Sequence, residues 1–243
     1  MAKTIFLAAF LWLSSASAAT ASVLHDAQHC KPLKIWGAPE INCVDWSISS
    51  SDRELTVFLQ RRASNGEVQP VHEFRLYTHY LSARVEWLPL FNSGEKTLST
   101  LSEGETGSSV SQTIWALVGF PQGKCKPYLV ESLNAQHSIF SHTNDLRVSR
   151  QIVRHGKTPR IVLAYRLIQK DEGRRVRVHR WRDTLAWDGV QQRFVLQNST
   201  GDHHQVRANI HAAREKRGAM TCENLRTAGA ETDFGLTSIL EEP

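Results

Sequence analysis

The chain has 243 residues, 41% of them apolar and 22% charged, with a formal net charge of +5. That length and apolar content support a sizeable buried core, in one domain with appendages or in two small ones. The cationic excess is mild, and past the first segment no apolar run reaches the roughly 20 residues of a membrane-spanning helix, so neither a helical membrane protein nor a strongly basic nucleic-acid binder is expected.

Residues 1–21 predict a secretory signal peptide that is removed: Lys3, then the apolar Ile5 to Leu13, then the small residues Ala16-Ser17-Ala18 and Ala19-Thr20-Ala21. The expected destination is the periplasm or the extracellular medium. Four cysteines follow, Cys30, Cys43, Cys125 and Cys222, and in an oxidising compartment an even count predicts two disulfides. Cys30 with Cys43 and Cys125 with Cys222 is the favoured pairing of the three possible, because the first two are close in sequence and bracket the turn-rich Pro39 region. No two cysteines stand in Cys-x-x-Cys spacing, which argues against a zinc site.

From there to residue 200 the chain shows short β-type runs separated by turn residues. Leu55 to Leu59 and Val71 to Tyr80 flank Ser64-Asn65-Gly66-Glu67, and Asn-Gly is among the strongest short hairpin signals. Val85 to Leu88 ends at Pro89. Residues 92–109, rich in Ser, Thr, Gly and Glu, predict a surface loop. Ile114 to Phe120, stopped by Pro121, predicts a buried strand. Tyr128 to Val130, Gln151 to Val153 and Ile161 to Ile168 add further strands, and Arg160 to Gln169 pairs with Arg174 to Trp181 in a hairpin. Trp187-Asp188-Gly189 supplies another turn before Arg193 to Gln197. The predicted fold is therefore mainly β, an antiparallel sandwich, barrel or propeller-like sheet over residues 22–200. A helical and acidic segment over residues 201–243 completes it, tied back by a disulfide. Its helix runs from His203 to Arg217, with Val206, Ile210 and Ala213 on one stripe and Gly218 at its end.

Charge is unevenly spread. Between Asp145 and Arg182 there are twelve Lys or Arg against three acids. In the second arm of the hairpin, Val176 and Val178 alternate with Arg175, Arg177 and His179, which predicts one apolar and one cationic face. Arg166, Arg175, Arg177, Arg180, Trp181, Arg182 and Trp187 are the candidate ligand-binding residues. Arginine forks suit phosphate and carboxylate groups, and tryptophan can stack on a flat ligand.

The expected function is that of a non-enzymatic binding or accessory protein of the cell envelope, engaging an anionic ligand or an acidic protein partner, with inhibitor or immunity-type roles in range. Nucleic acid is not the expected partner, and no cofactor or catalytic residue is assigned. In the helix, His204, His211 and Glu215 share one side, but His204 and His211 stand two turns apart, about 10 Å along the axis, too far for one ion to be held without other ligands. A solvent-facing polar stripe is the expectation there.

One fragment points to an enzyme alternative. Arg154-His155-Gly156, after the apolar Ile152-Val153, resembles the Arg-His-Gly of histidine phosphatases. The resemblance covers these three residues, with Thr158 and Arg160 where that family carries Arg and Pro, and no later His-Asp pair. It implies a secreted hydrolase of phosphorylated or anionic substrates with His155 as nucleophile or base.

Overall fold

A computed structural model describes residues 24–25, 43–49, 51–78, 83–91, 96–103, 110–139, 142–154, 158–171 and 176–229. The predicted signal segment and Cys30 lie outside these residues. The protein is mainly β, with two antiparallel sheets and one short helix near its C-terminus. The smaller sheet holds β1 (Leu24–His25), β2 (Cys43–Ser49), β3 (Glu54–Arg62) and β4 (Val68–Tyr77) in sequence order. The larger sheet holds eight strands, also in sequence order: β5 (Ala83–Pro89), β6 (Lys96–Glu103), β7 (Val110–Gly119), β8 (Lys126–Ile139), β9 (His142–Val153), β10 (Arg160–Asp171), β11 (Arg177–Asp188) and β12 (Arg193–Gly201). Each strand therefore pairs with its chain neighbour, the simplest antiparallel connectivity.

Local chemistry sets the turns. The Asn-Gly hairpin forms as its sequence predicts: Gly66 adopts φ +87, and the Ala63 amide donates to the Glu67 carbonyl at 2.8 Å. After β11, the Asp188 carboxylate accepts from the amides of Val190 and Gln191 at 2.8 and 3.0 Å, an Asx turn that reverses the chain into β12. Gly201 ends β12 at φ +107, where a Cβ would stand 2.5 Å from the Arg180 carbonyl oxygen. The helix α1 (Gln205–Arg217) is capped by His204, whose Nδ1 accepts from the Val206 amide at 3.2 Å.

Two apolar cores result. Leu55, Val57, Leu59, Phe74 and Leu76 of the small sheet pack against Leu98, Ile114, Ala116, Val118 and Val130 of the large one. On the opposite face of the large sheet, Trp115, Leu129, Leu146, Leu163, Tyr165, Trp181 and Leu185 receive Val206, Ile210 and Ala213 of α1. The sheet curls around this helix: Trp187 of β11 meets Tyr128 of β8 at 4.7 Å between ring centroids, and Lys126 Nζ donates to the Gln191 carbonyl at 2.6 Å. The sheet remains open and no barrel closes among the described residues.

The predicted loop over residues 92–109 is corrected in its centre. Lys96–Glu103 is β6, an interior strand with Leu98 fully buried and Thr97, Ser99, Thr100 and Ser102 at 2% exposure or less. Hydropathy misses it because its polar side chains are small, and those of Ser99 and Thr100 find partners across β7. Trp115 Nε1 donates to Ser99 Oγ at 3.0 Å, and Thr100 Oγ1 donates to the Ala116 carbonyl. β-branched threonine is at home in such a strand.

Cys125 and Cys222 are joined, with their Cα atoms 6.0 Å apart, and fasten the 3-10 segment Cys222–Gly229 against the body. Cys43 is also disulfide-bonded.

Candidate ligand-binding face

Strand pairing decides which of the candidate residues stand together. Arg166 of β10 lies opposite Arg147 of β9 on one side and opposite Arg180 of β11 on the other. Cross-strand partners share a face, so these three arginines form one row over three adjacent strands. One step along, Ser149, Ala164, Arg182 and Thr200 form the next row over β9 to β12. Arg147, Arg166, Arg180 and Arg182 are all exposed.

The other candidates lie elsewhere. Period two puts Arg177 on the same face as Trp181, at the outer end of β11, where it is exposed. Trp181 is 3% exposed and stacks on Tyr165 at 4.8 Å with the rings 6° from parallel. Trp187 is half-buried among Phe91, Tyr128 and Phe194. Both tryptophans therefore belong to the core face, and neither stands among the arginines. Arg175 lies outside the described residues.

The predicted division of the hairpin into a valine face and an Arg177–His179 face is reversed here. Val176 and Val178 are 56% and 36% exposed, and Val178 shares its face with Arg180 and Arg182. The sequence places Arg177 at an odd position and Arg180 and Arg182 at even ones, so no single face collects all three. Trp181, Asp183 and Leu185, all buried, decide which face turns inward.

Sequence reasoning missed Arg147. Its signal was the alternation from Asp145 to Ser149, with Leu146 fully buried and Arg147 exposed. Arg147 is held by Asp145 of its own strand at 2.8 Å. Asp202 spends its carboxylate on the Arg180 amide, at 2.8 Å, and lies 4.0 Å from His179 Nδ1. Among the described residues, no carboxylate pairs with the guanidinium groups of Arg166, Arg180 or Arg182. The row lies on the same side of the large sheet that the four-stranded sheet covers elsewhere: Val130, in the core beneath that sheet, and Asn134, the partner of Arg147, alternate to one side of β8.

Behind this face, under α1, lies a buried charge cluster. Arg214 donates from Nε to Glu131 at 2.7 Å, and from Nη2 to Tyr165 Oη at 2.7 Å and to Asp183 at 2.9 Å. Asp183 also meets His211 Nε2 at 3.0 Å and accepts from Ser199 Oγ. Burial pushes the Asp183 carboxyl up, but the His211 hydrogen bond, the Arg214 charge and the Ser199 hydroxyl outweigh it and hold its pKa below the ordinary value. Burial drives Tyr165 well above the usual phenol range, so it stays protonated. Arg217, buried beside Arg214, is lowered by desolvation and donates to Ser132 Oγ at 3.1 Å. With Asp183 and Glu131 at 0% and 1% side-chain exposure, this cluster anchors the helix to three strands.

The helical polar stripe is divided among separate partners. His204 caps α1 and lies against His179 at 4.3 Å between ring centroids, His211 serves Asp183, and Glu215 pairs with Arg193 at 3.2 Å. Arg154 is exposed at the end of β9, and His155 lies outside the described residues. Compared with known proteins, the chain matches no family model, no curated protein and no solved structure.

Proposed function

We propose that this is an exported, non-enzymatic binding protein of the cell envelope that holds an anionic ligand or acidic partner on the arginine face of its large sheet. The supporting observation is the row Arg147, Arg166 and Arg180, with Arg182 beside it. Like charges set opposite one another across strands destabilise a sheet, and an arriving anion relieves that repulsion. The Cys125–Cys222 bridge and the bonded Cys43 support maturation in an oxidising compartment, periplasmic or extracellular. Trp181 and Trp187, on the core face, contribute rigidity to the sheet rather than contact with the ligand.

The test is capture of envelope components on immobilised protein, alongside the triple variant Arg166→Glu, Arg180→Glu, Arg182→Glu. The native protein should retain an anionic species that elutes as salt rises, because exposed charge pairs are screened over about 10 Å at 0.1 M salt. The folded triple variant should lose it. Retention of the same species by that variant would reject this face.

A further inference from the structure

Resting on that reading, we infer that the ligand is a linear acidic polysaccharide with one carboxylate on each sugar, and that it runs across the strands rather than along them. The register carries the direction. Arg147, Arg166 and Arg180 occupy consecutive strands with no neutral residue between them in the row, at the strand separation of roughly 5 Å. Along a strand the run of charge is shorter: β11 sets Arg180 and Arg182 in succession, and on β10 the same face reads Arg160, Val162, Ala164, Arg166. A chain lying over the row meets one guanidinium per strand. An extended sugar polymer advances by about that same distance per residue, so the charge density of the row matches that of the polymer. Polyphosphate sets its charges more closely and falls out of step.

The borders of the row fit sugar as well. On one side Ile168 stands opposite Val178, an apolar step against which the C–H face of a sugar ring rests, and it ends at Asp145, opposite Ile168 on β9, whose carboxylate holds Arg147. On the other, Ser149, Ala164 and Thr200 are short and offer hydroxyl groups to the sugar's own, with Arg182 rising between Ala164 and Thr200 as a further cation. Single-stranded nucleic acid is disfavoured because binding it without base pairing uses aromatic platforms, and Trp181 is turned inward. A globular acidic protein needs a desolvated apolar patch at the centre of its interface. On this face the exposed large apolar side chains among the described residues are Val178 and, just before β11, Val176, a strip at one end rather than a central patch.

The full chain is titrated with polygalacturonate, its fully methyl-esterified form, monomeric galacturonate, polyphosphate and a single-stranded oligonucleotide, by calorimetry at low salt. Polygalacturonate should bind, the neutral ester should not, and the monomer should bind at least about 100-fold more weakly because it forfeits multivalency. Arg166→Gln, in the middle of the row, should weaken the polymer by about tenfold, the loss of one charge-assisted contact. Arg160→Gln, on the same strand and face but off the row, should change it less than about twofold. Equal losses from the two variants would overturn the cross-strand path. Tighter binding of polyphosphate or the oligonucleotide through Arg166 would overturn the polysaccharide while leaving the binding face standing. Failure of every anion, at native fold, would bring down the binding face itself.

Discussion

Arg214 and Glu131 lie 83 residues apart in sequence and meet at 2.7 Å, with side-chain exposures of 4% and 1%. The pair joins α1 to β8, and through Asp183 and Tyr165 the same guanidinium reaches β11 and β10. A buried ion pair of this kind adds little net stability over an apolar replacement, but removing one partner strands the other.

Arg214→Ala should therefore destabilise the fold by about 3 to 5 kcal/mol, since Glu131 and Asp183 would remain buried without their cation. Urea unfolding measures this directly. A loss below about 1 kcal/mol would show that the cluster is open to water.

Acid should weaken the protein through Asp183. Its pKa is held below the ordinary value in the fold, so between the two values the unfolded chain binds more protons than the native one. Stability is then full above the ordinary aspartate range near 4 and is lost as pH falls through the lower folded value. Asp183→Asn removes this contribution, so its midpoint of unfolding should vary less with pH below about 4 than that of the native chain. Parallel pH profiles for the two proteins would contradict the assignment. At the alkaline end the sign reverses for Tyr165, whose raised pKa makes stability fall as pH climbs above about 10.

Breaking the Cys125–Cys222 bridge, which spans 97 residues, should cost about 4 to 5 kcal/mol in the chain-entropy account. The paired change to alanine tests it by denaturant midpoint. Proteolysis should then open the segment Cys222–Gly229 first, because Met220, Cys222 and Leu225 no longer stay seated against the small-sheet core.

Ser99→Ala should cost about 1 to 3 kcal/mol, out of proportion to the atom removed. It leaves the indole N–H of Trp115 buried without its acceptor. Thermal unfolding and the near-ultraviolet signal of the tryptophans report the loss.

Much of the sheet architecture was legible because its signals are local. Asn65-Gly66 specifies a hairpin through backbone sterics, Asp188-Gly189 reverses the chain through an Asx turn, and the stripe of Val206, Ile210 and Ala213 marks a helix that begins within two residues of its expected start. β6 was not legible, because burial of Thr97, Ser99 and Thr100 depends on partners in β7 that no local window contains. The same holds for the charge cluster: Glu131, Asp183 and Arg214 carry no spacing that announces them, and only the packing of α1 on three strands brings them together.

For the arginine face the division is sharper. The sequence by itself determined that cations concentrate between Asp145 and Arg182 and that strands there alternate, because side-chain direction in a strand has period two. Which arginines stand side by side was decided by register, a long-range property set when Leu146, Leu163, Tyr165 and Trp181 turn together toward the helix. That choice buries Trp181 and turns Trp187 to the core face, exposes two valines, and brings in Arg147 from a neighbouring strand. Chain order fixes each residue's neighbours along a strand; only the shared burial of an inner face fixes its neighbours across it.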